Sequence, residues 1–212
     1  VNRLPLHQDL HLMAHNEAGK LLTHQSSLAL ALAGAVLTEL VLAERVAVVQ
    51  GRITVSDRRR TDDPVIDVLL DLIPRDRDHR DVRSWFKAAA KDIYVRTRDD
   101  LVAKGVLAPV TRRRMGMLPY LRYQLTDISW AVRASSGVRS AAEGYKQPDA
   151  GCATLCGLVA VLRVEAELYL SQPSGRLVER LRAIADEHSP TVKELVHIVD
   201  TLVAEAAVAV YR

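Results

Sequence analysis

The stretch SSLALALAGAVLTELVLAERVAVV, Ser26–Val49, decides how the rest of the chain is read. A helix that crosses a bilayer needs about 20 predominantly apolar residues with few charges. Here the uncharged run ends at Thr38; Glu39 interrupts it, and Glu44 and Arg45 follow. A charge in mid-span costs roughly 2.5–3.5 kcal/mol even on the gentler insertion scales. The segment therefore reads as a helix that is apolar on every side and covered by other helices of the same chain. Its small residues, Ala29, Ala31, Ala33, Gly34 and Ala35, let those neighbours come close.

The composition agrees with that picture. Of 212 residues, 49% are hydrophobic and only 4% aromatic, so the core must be built from Ala, Leu and Val, which suits packed helices. The expected fold is mainly α, a single helical domain over residues 1–212 around a buried central apolar helix, with two small β-hairpins. The net charge is +3, a mild excess that attracts anions without naming them. VNRLPLHQDLHLMAHNEAGK, at the start, has no apolar signal-peptide core. Two cysteines, Cys152 and Cys156, make no disulfide framework and look like small buried residues, so a reducing cytoplasm is the expected compartment.

Outward from the central helix, His7–Met13 reads as a short helix opening after Pro5 and closed by the turn Asn16–Gly19. After about Ala43 the period shortens: Val46, Val48 and Val49, a break at Gln50-Gly51, then Ile53 and Val55 give the first hairpin. PVIDVLLDLI returns to helical spacing, and the mixed charges of Pro74–Arg83 read as a solvated connection. One long amphipathic helix is expected over Ser84–Lys104, capped by Gly105, with Trp85, Ile93 and Leu101 inward and Lys87, Lys91 and Arg98 as a basic stripe. Val106–Val110 and Leu121–Leu125 are the arms of a second hairpin. Helices follow near Asp127–Gly137, Ala150–Leu170, Gly175–Glu187 and Thr191–Tyr211.

Sites for chemistry are sparse. His7, His11 and His15 stand four apart, a spacing that can share a zinc ion, yet the helix ends at His15 and a solvated face is the simpler reading, so no metal site is assigned. No Gly-x-Ser-x-Gly elbow, glycine-rich phosphate loop or dinucleotide fingerprint occurs, and no residue set supplies a nucleophile, base and orienter; a non-enzymatic protein without a cofactor is expected. The second hairpin carries Arg112, Arg113 and Arg114 directly before Met115-Gly116-Met117-Leu118-Pro119-Tyr120. A cationic base with an apolar tip suits a membrane interface, where each arginine attracts anionic headgroups by about 1 kcal/mol. It suits a protein partner equally well. Helix followed by basic hairpin occurs twice, which is also how a winged-helix DNA-binding module reads, although no helix carries the Arg, Asn and Gln face that reads a major groove, so no nucleic acid partner is expected. A pure interaction scaffold is the third reading.

Five segments then occur in the order of a known family. LHQDLHLMAHNEAGKL (Leu6–Leu21), LALAGAVLTELVLAERV (Leu30–Val46), DDPVIDVLLDLI (Asp62–Ile73), LVAKGVL (Leu101–Leu107) and RYQLTD (Arg122–Asp127) resemble the Golgi phosphoprotein 3 family, from about Leu4 to Asp127. The abundance of Arg over Lys and the Ala/Val-rich core are similar to its bacterial members. The resemblance implies a peripheral membrane protein that recognises phosphatidylinositol 4-phosphate, self-associates in part through the second hairpin, and serves protein clients. It implies a headgroup site made by one Trp and three Arg, whose positions here are held by His24, Ala33, Lys91 and Tyr94, so only Lys91 keeps a fixed charge. A charge-assisted hydrogen bond contributes about 1.5–3 kcal/mol, so this site is expected to be only partly kept. The candidates for the headgroup are thus His24, Lys91, Tyr94 and Arg96; those for the membrane or oligomer hairpin are Arg112, Arg113, Arg114, Met117, Leu118 and Tyr120.

Overall fold

The computed structural model describes residues 3–74, 79–114 and 118–210, without the side chains of residues 79, 113, 114, 118, 209 and 210. Its centre is the segment quoted above. Helix α2 (Gln25–Leu42) is buried from Ser27 to Thr38 and again at Leu40. Leu30 is 9% exposed, Val36 0% and Leu40 1%, so no face of the helix is left open to lipid. By length and composition it could cross a membrane; instead 72% of it lies inside the protein. Helices α1 (Leu6–Met13), α7 (Ala150–Leu162) and α9 (Pro190–Val210) pack on it, as do α4 (Val82–Ala89) and α5 (Ile93–Ala103). Gly34 shows why small residues are needed: a Cβ there would sit 2.5 Å from Cγ2 of Val199 on α9.

Glu39, the residue that breaks the apolar run, has an internal task. Its Oε1 accepts the backbone N–H of Leu6 at 3.0 Å, satisfying an orphan donor at the start of α1, and its Oε2 lies 3.4 Å from Nδ1 of His7. Helix α1 is buried along its whole length, polar residues included. The expectation of a solvated histidine face is therefore wrong: His7 is 0% and His11 2% exposed, because α1 lies between α2, α5, α6 (Ser129–Ala142) and α7 rather than on the surface.

A polar hub ties these helices together. Asp63 caps α3 (Pro64–Asp71) by accepting the N–H groups of Val65 at 2.9 Å and Ile66 at 3.1 Å. Its other oxygen accepts from the Gln8 side-chain amide at 3.2 Å and meets Nζ of Lys104 at 3.5 Å. Lys104 also pairs with Asp100 at 2.7 Å, and the same Gln8 amide donates to Asp100 at 2.6 Å. Three segments distant in sequence converge here.

The long helix expected over Ser84–Lys104 is two helices, with a turn at Ala90–Asp92. Phe86, Ala89, Ile93, Thr97 and Leu101 are all buried and would share one face of a continuous helix, and neither Gly nor Pro marks the turn. Both halves touch α2 and α3, but α5 also packs on α1, whereas α4 is tied to α3 by the Trp85 indole N–H, which donates to the Leu69 carbonyl at 3.1 Å. Trp85 is fully buried and meets Phe86 edge to face at 5.3 Å. Trp85→Phe should cost about 1–2 kcal/mol, from a lost hydrogen bond and a partial cavity, read as a lower urea midpoint at unchanged slope.

Both hairpins form. Strands β1 (Val46–Val49) and β2 (Arg52–Val55) pair antiparallel, and β3 (His79–Asp81) adds a third strand beside β2, with Ile53 opposite Arg80. That strand corrects the reading of Pro74–Arg83 as solvated connection over its last part; residues 75–78 lie outside the described residues. A short edge strand of charged residues carries no alternation to read. Strands β4 (Leu107–Arg114) and β5 (Leu118–Leu125) make a separate two-stranded ribbon, longer than expected. The two hairpins share one entry: each follows a helix closed by a left-handed residue, Glu44 (φ 56°) or Gly105 (φ 71°), with Arg45 N–H bonded to Leu40 and Val106 N–H to Leu101. Helix α7 stops at Leu162, earlier than expected, because Arg163 takes the left-handed conformation; a 3₁₀ turn (Glu165–Leu168) leads to α8 (Ser174–His188). Cys152 and Cys156 are both buried.

Candidate functional site

The turn after α1 is fixed by its own backbone. Asn16 accepts the Lys20 N–H on its side chain at 2.9 Å, and Gly19 N–H bonds to the Asn16 carbonyl at 2.8 Å. Gly19 has φ +70°, and a Cβ there would collide with the carbonyl oxygen of Tyr123 on β5. Gln124 adds a bond from its side-chain amide to the Ala18 carbonyl at 3.3 Å. The turn, the ribbon and α5 thus enclose a cleft of about 450 Å³.

Among the described residues, three fixed cations line this cleft, Lys20, Arg98 and Arg122, together with three tyrosines, Tyr94, Tyr120 and Tyr123, and no carboxylate. The arginines lie over rings: Arg98 sits 4.4 Å from the Tyr123 centroid and Arg122 5.3 Å from that of Tyr120. Stacking of this kind contributes about 0.5–1 kcal/mol at exposed sites and holds the guanidinium planes in place. Arg98 is steadied further by Asp99, whose Oδ1 accepts from its Nε at 2.9 Å and its Nη2 at 2.7 Å.

The back wall is an aromatic stack. His11 and His15 rings lie 4.4 Å apart, with Tyr94 5.3 Å from His11. His15 Nδ1 donates to the His11 carbonyl at 2.7 Å, which places its proton on Nδ1 and leaves Nε2 to accept the Tyr94 hydroxyl at 3.2 Å. Burial holds His11 well below the usual imidazole pKa, helped by the positive potential of His15, His7 and Arg98; burial also lowers His15 and raises Tyr94. All three are neutral at pH 7, so the tyrosine hydroxyl is anchored as a donor to His15.

A histidine with a depressed folded-state pKa gives stability that is present above the ordinary imidazole pKa of about 6.5 and is lost as pH falls through the folded value. The wild type should therefore lose stability below about pH 6.5 relative to His11→Phe, with the two melting profiles separating as pH falls. Parallel profiles from pH 7 to 5 would contradict this.

Of the residues expected to contact a headgroup, Tyr94 lines the cleft. His24 is exposed at the N-cap of α2, next to Gln25, which does line it. Lys91 is exposed in the α4–α5 turn and Arg96 is exposed on α5, paired with Asp92 at 3.5 Å; neither lines the cleft. Ala33 is fully buried. Of the hairpin residues, Tyr120 lines the cleft and Arg112, opposite it in the register, is exposed. Met117 and the side chains of Arg113, Arg114 and Leu118 lie outside the described residues. Lys20 and Arg122 were not singled out from sequence, and Arg98 only as part of a stripe; the available signals were Arg98 one turn after Tyr94 and Arg122 two residues after Tyr120. His7, His11 and His15 do not converge, and the described residues hold no group of three or more His, Cys, Asp or Glu that could bind a metal ion.

A comparison with curated proteins finds none that matches the chain. A family model does, and it extends well past Asp127, where the segment-by-segment resemblance fades. It covers residues 6–207, nearly everything from α1 to the last turns of α9, and its description is Golgi phosphoprotein 3. The chain belongs to the Golgi phosphoprotein 3 family.

Proposed function

We propose that this chain is a non-enzymatic, cytoplasmic protein that attaches peripherally to membrane surfaces by taking an anionic, phosphate-bearing lipid headgroup into the cleft between the α1 turn, α5 and the β4–β5 ribbon. The observation that carries the reading is a concave site lined by Lys20, Arg98 and Arg122 and, among the described residues, by no carboxylate. Phosphate oxygens accept from guanidinium and hydroxyl donors alike, and the two arginines are already oriented by tyrosine rings. This set replaces the Trp and Arg positions that the chain lacks, and a phosphoinositide is the fitting headgroup because it offers several phosphate oxygens to several donors. The ribbon, with Arg112 exposed beside it, faces the same surface or a second copy of the chain.

Co-sedimentation with phosphatidylcholine vesicles, alone or doped with phosphatidylserine or phosphatidylinositol 4-phosphate, tests this. Binding should need anionic lipid, be strongest with the phosphoinositide, and weaken as salt rises. Lys91→Ala, outside the cleft, should change it less than about fivefold, as an exposed charge contributes up to about 1 kcal/mol. Indifference to all anionic vesicles at low salt would end the proposal. Retention of duplex DNA in place of lipid would favour a nucleic-acid binder.

A further inference from the structure

A second cleft, of about 460 Å³, opens where α1 meets α6 and the start of α7. Its lining includes Arg3, Asp9, Trp130, Arg133, Lys146 and Asp149. Asp9 is only 5% exposed. Among the described residues its carboxylate accepts no hydrogen bond, and its one ion pair, with Nε of Arg3, is long at 3.9 Å. Arg3 is also engaged elsewhere, bonded to Asp149 at 3.2 Å. The start of α1 offers Asp9 dipole compensation but no N–H. A buried carboxylate left this short of donors is a cost that a bound donor removes.

The rim has the opposite character. Arg133 lies 5.2 Å from the Trp130 centroid, and neither Arg133 nor Lys146 forms an ion pair among the described residues. Asp149 is occupied as the N-cap of α7, accepting the Cys152 N–H at 2.7 Å, and by Arg3. The cleft therefore presents at its mouth two cations that touch no carboxylate among the described residues, although they act at longer range on Asp127 and Asp149, and in its floor a carboxylate short of protein donors, a polarity that neither a plain anion nor a plain cation satisfies.

We propose that this cleft is a second ligand site, separate from the headgroup cleft, for a compound that carries a primary ammonium beside a phosphate, the ammonium reaching Asp9 and the phosphate meeting Arg133 and Lys146. Burial, with Glu39 adding to it against Arg3, pushes Asp9 up to about 7, so that it holds a proton near neutrality until a cationic donor ionises it. An ammonium–phosphate pair occurs both as a soluble phosphoamine and as the headgroup of phosphatidylethanolamine.

Calorimetric titration of the full chain with phosphoethanolamine, inorganic phosphate and glycerol phosphate tests the assignment. Phosphoethanolamine should bind at least tenfold more tightly than the other two, and Asp9→Asn should remove that advantage while leaving phosphate binding unchanged. Lys146→Ala should weaken all three. In parallel, Asp9→Asn should raise the melting temperature at pH 8 but not at pH 4, since a raised folded-state pKa gives stability that is lost as pH rises towards and through 7. The groups acting on Asp9 in this titration are Arg3 and Glu39, with Arg133, Lys146 and Asp149 in the same cleft. Preference for phosphatidylethanolamine over phosphatidylcholine vesicles would assign the lipid source, and binding of the soluble compound alone would assign the free one. Equal affinity for glycerol phosphate, an undiminished Asp9→Asn, or no binding in either form overturns the proposal.

Discussion

Arg98→Ala combined with Arg122→Ala should lower binding to phosphoinositide-doped vesicles by about 100-fold or more, as two charge-assisted contacts contribute about 1.5–3 kcal/mol each. The rings beneath them remain, so the fold should hold: Tyr123 and Tyr120 belong to the ribbon, and both arginines reach the cleft from exposed or half-buried positions. Arg98→Lys and Arg122→Lys separate charge from shape, because a lysine keeps the charge but loses the planar fork and the stacking. If the lysine pair binds as well as wild type, the cleft is only a field of positive potential. If the alanine pair binds as well as wild type while melting at the same temperature, the headgroup is bound elsewhere.

The second large effect concerns stability. Asp63→Ala should destabilise the chain by about 3–5 kcal/mol, measured as a shift of the urea midpoint. The substitution removes the cap of α3, the oxygen that accepts two N–H groups, and leaves the Gln8 amide and Lys104 ammonium facing one carboxylate where they had two. Asp63→Asn keeps the shape and one acceptor oxygen for the helix N–H groups, and should cost about half as much. A loss below about 1 kcal/mol for Asp63→Ala would mean that water replaces the carboxylate, and that the hub joins α1, α3 and α5 only loosely.

How much of this was legible depended on whether a feature was local. The burial of α2 followed from one interrupted apolar run, and both hairpins from a change of period at Gln50-Gly51 and after Gly105. The break between α4 and α5 left no trace, since Phe86, Ala89, Ile93 and Leu101 keep helical phase across the turn while Ala90 and Lys91 are good helix formers. The burial of α1 was hidden for a different reason. His7, Gln8, Asp9 and His11 look solvated until Glu39, Asp63 and Asp100, each remote in sequence, are brought against them. The candidate cleft was half visible for the same reason: Tyr94 and Tyr120 stood out by motif, whereas Lys20, Arg98 and Arg122 are isolated cations that only folding assembles.

Gly19 seated beneath the Tyr123 carbonyl, with Gln124 gripping Ala18, has a mechanical meaning. The ribbon is a cantilever clamped at Tyr123–Gln124, and its free arm runs outward to Arg114 and Leu118. Arg122 stands next to that clamp and Tyr120 two residues further out along the same strand. A headgroup seated between them would load the beam where it is held, so that binding in the cleft and the seating of the α1 turn against the ribbon become mechanically linked.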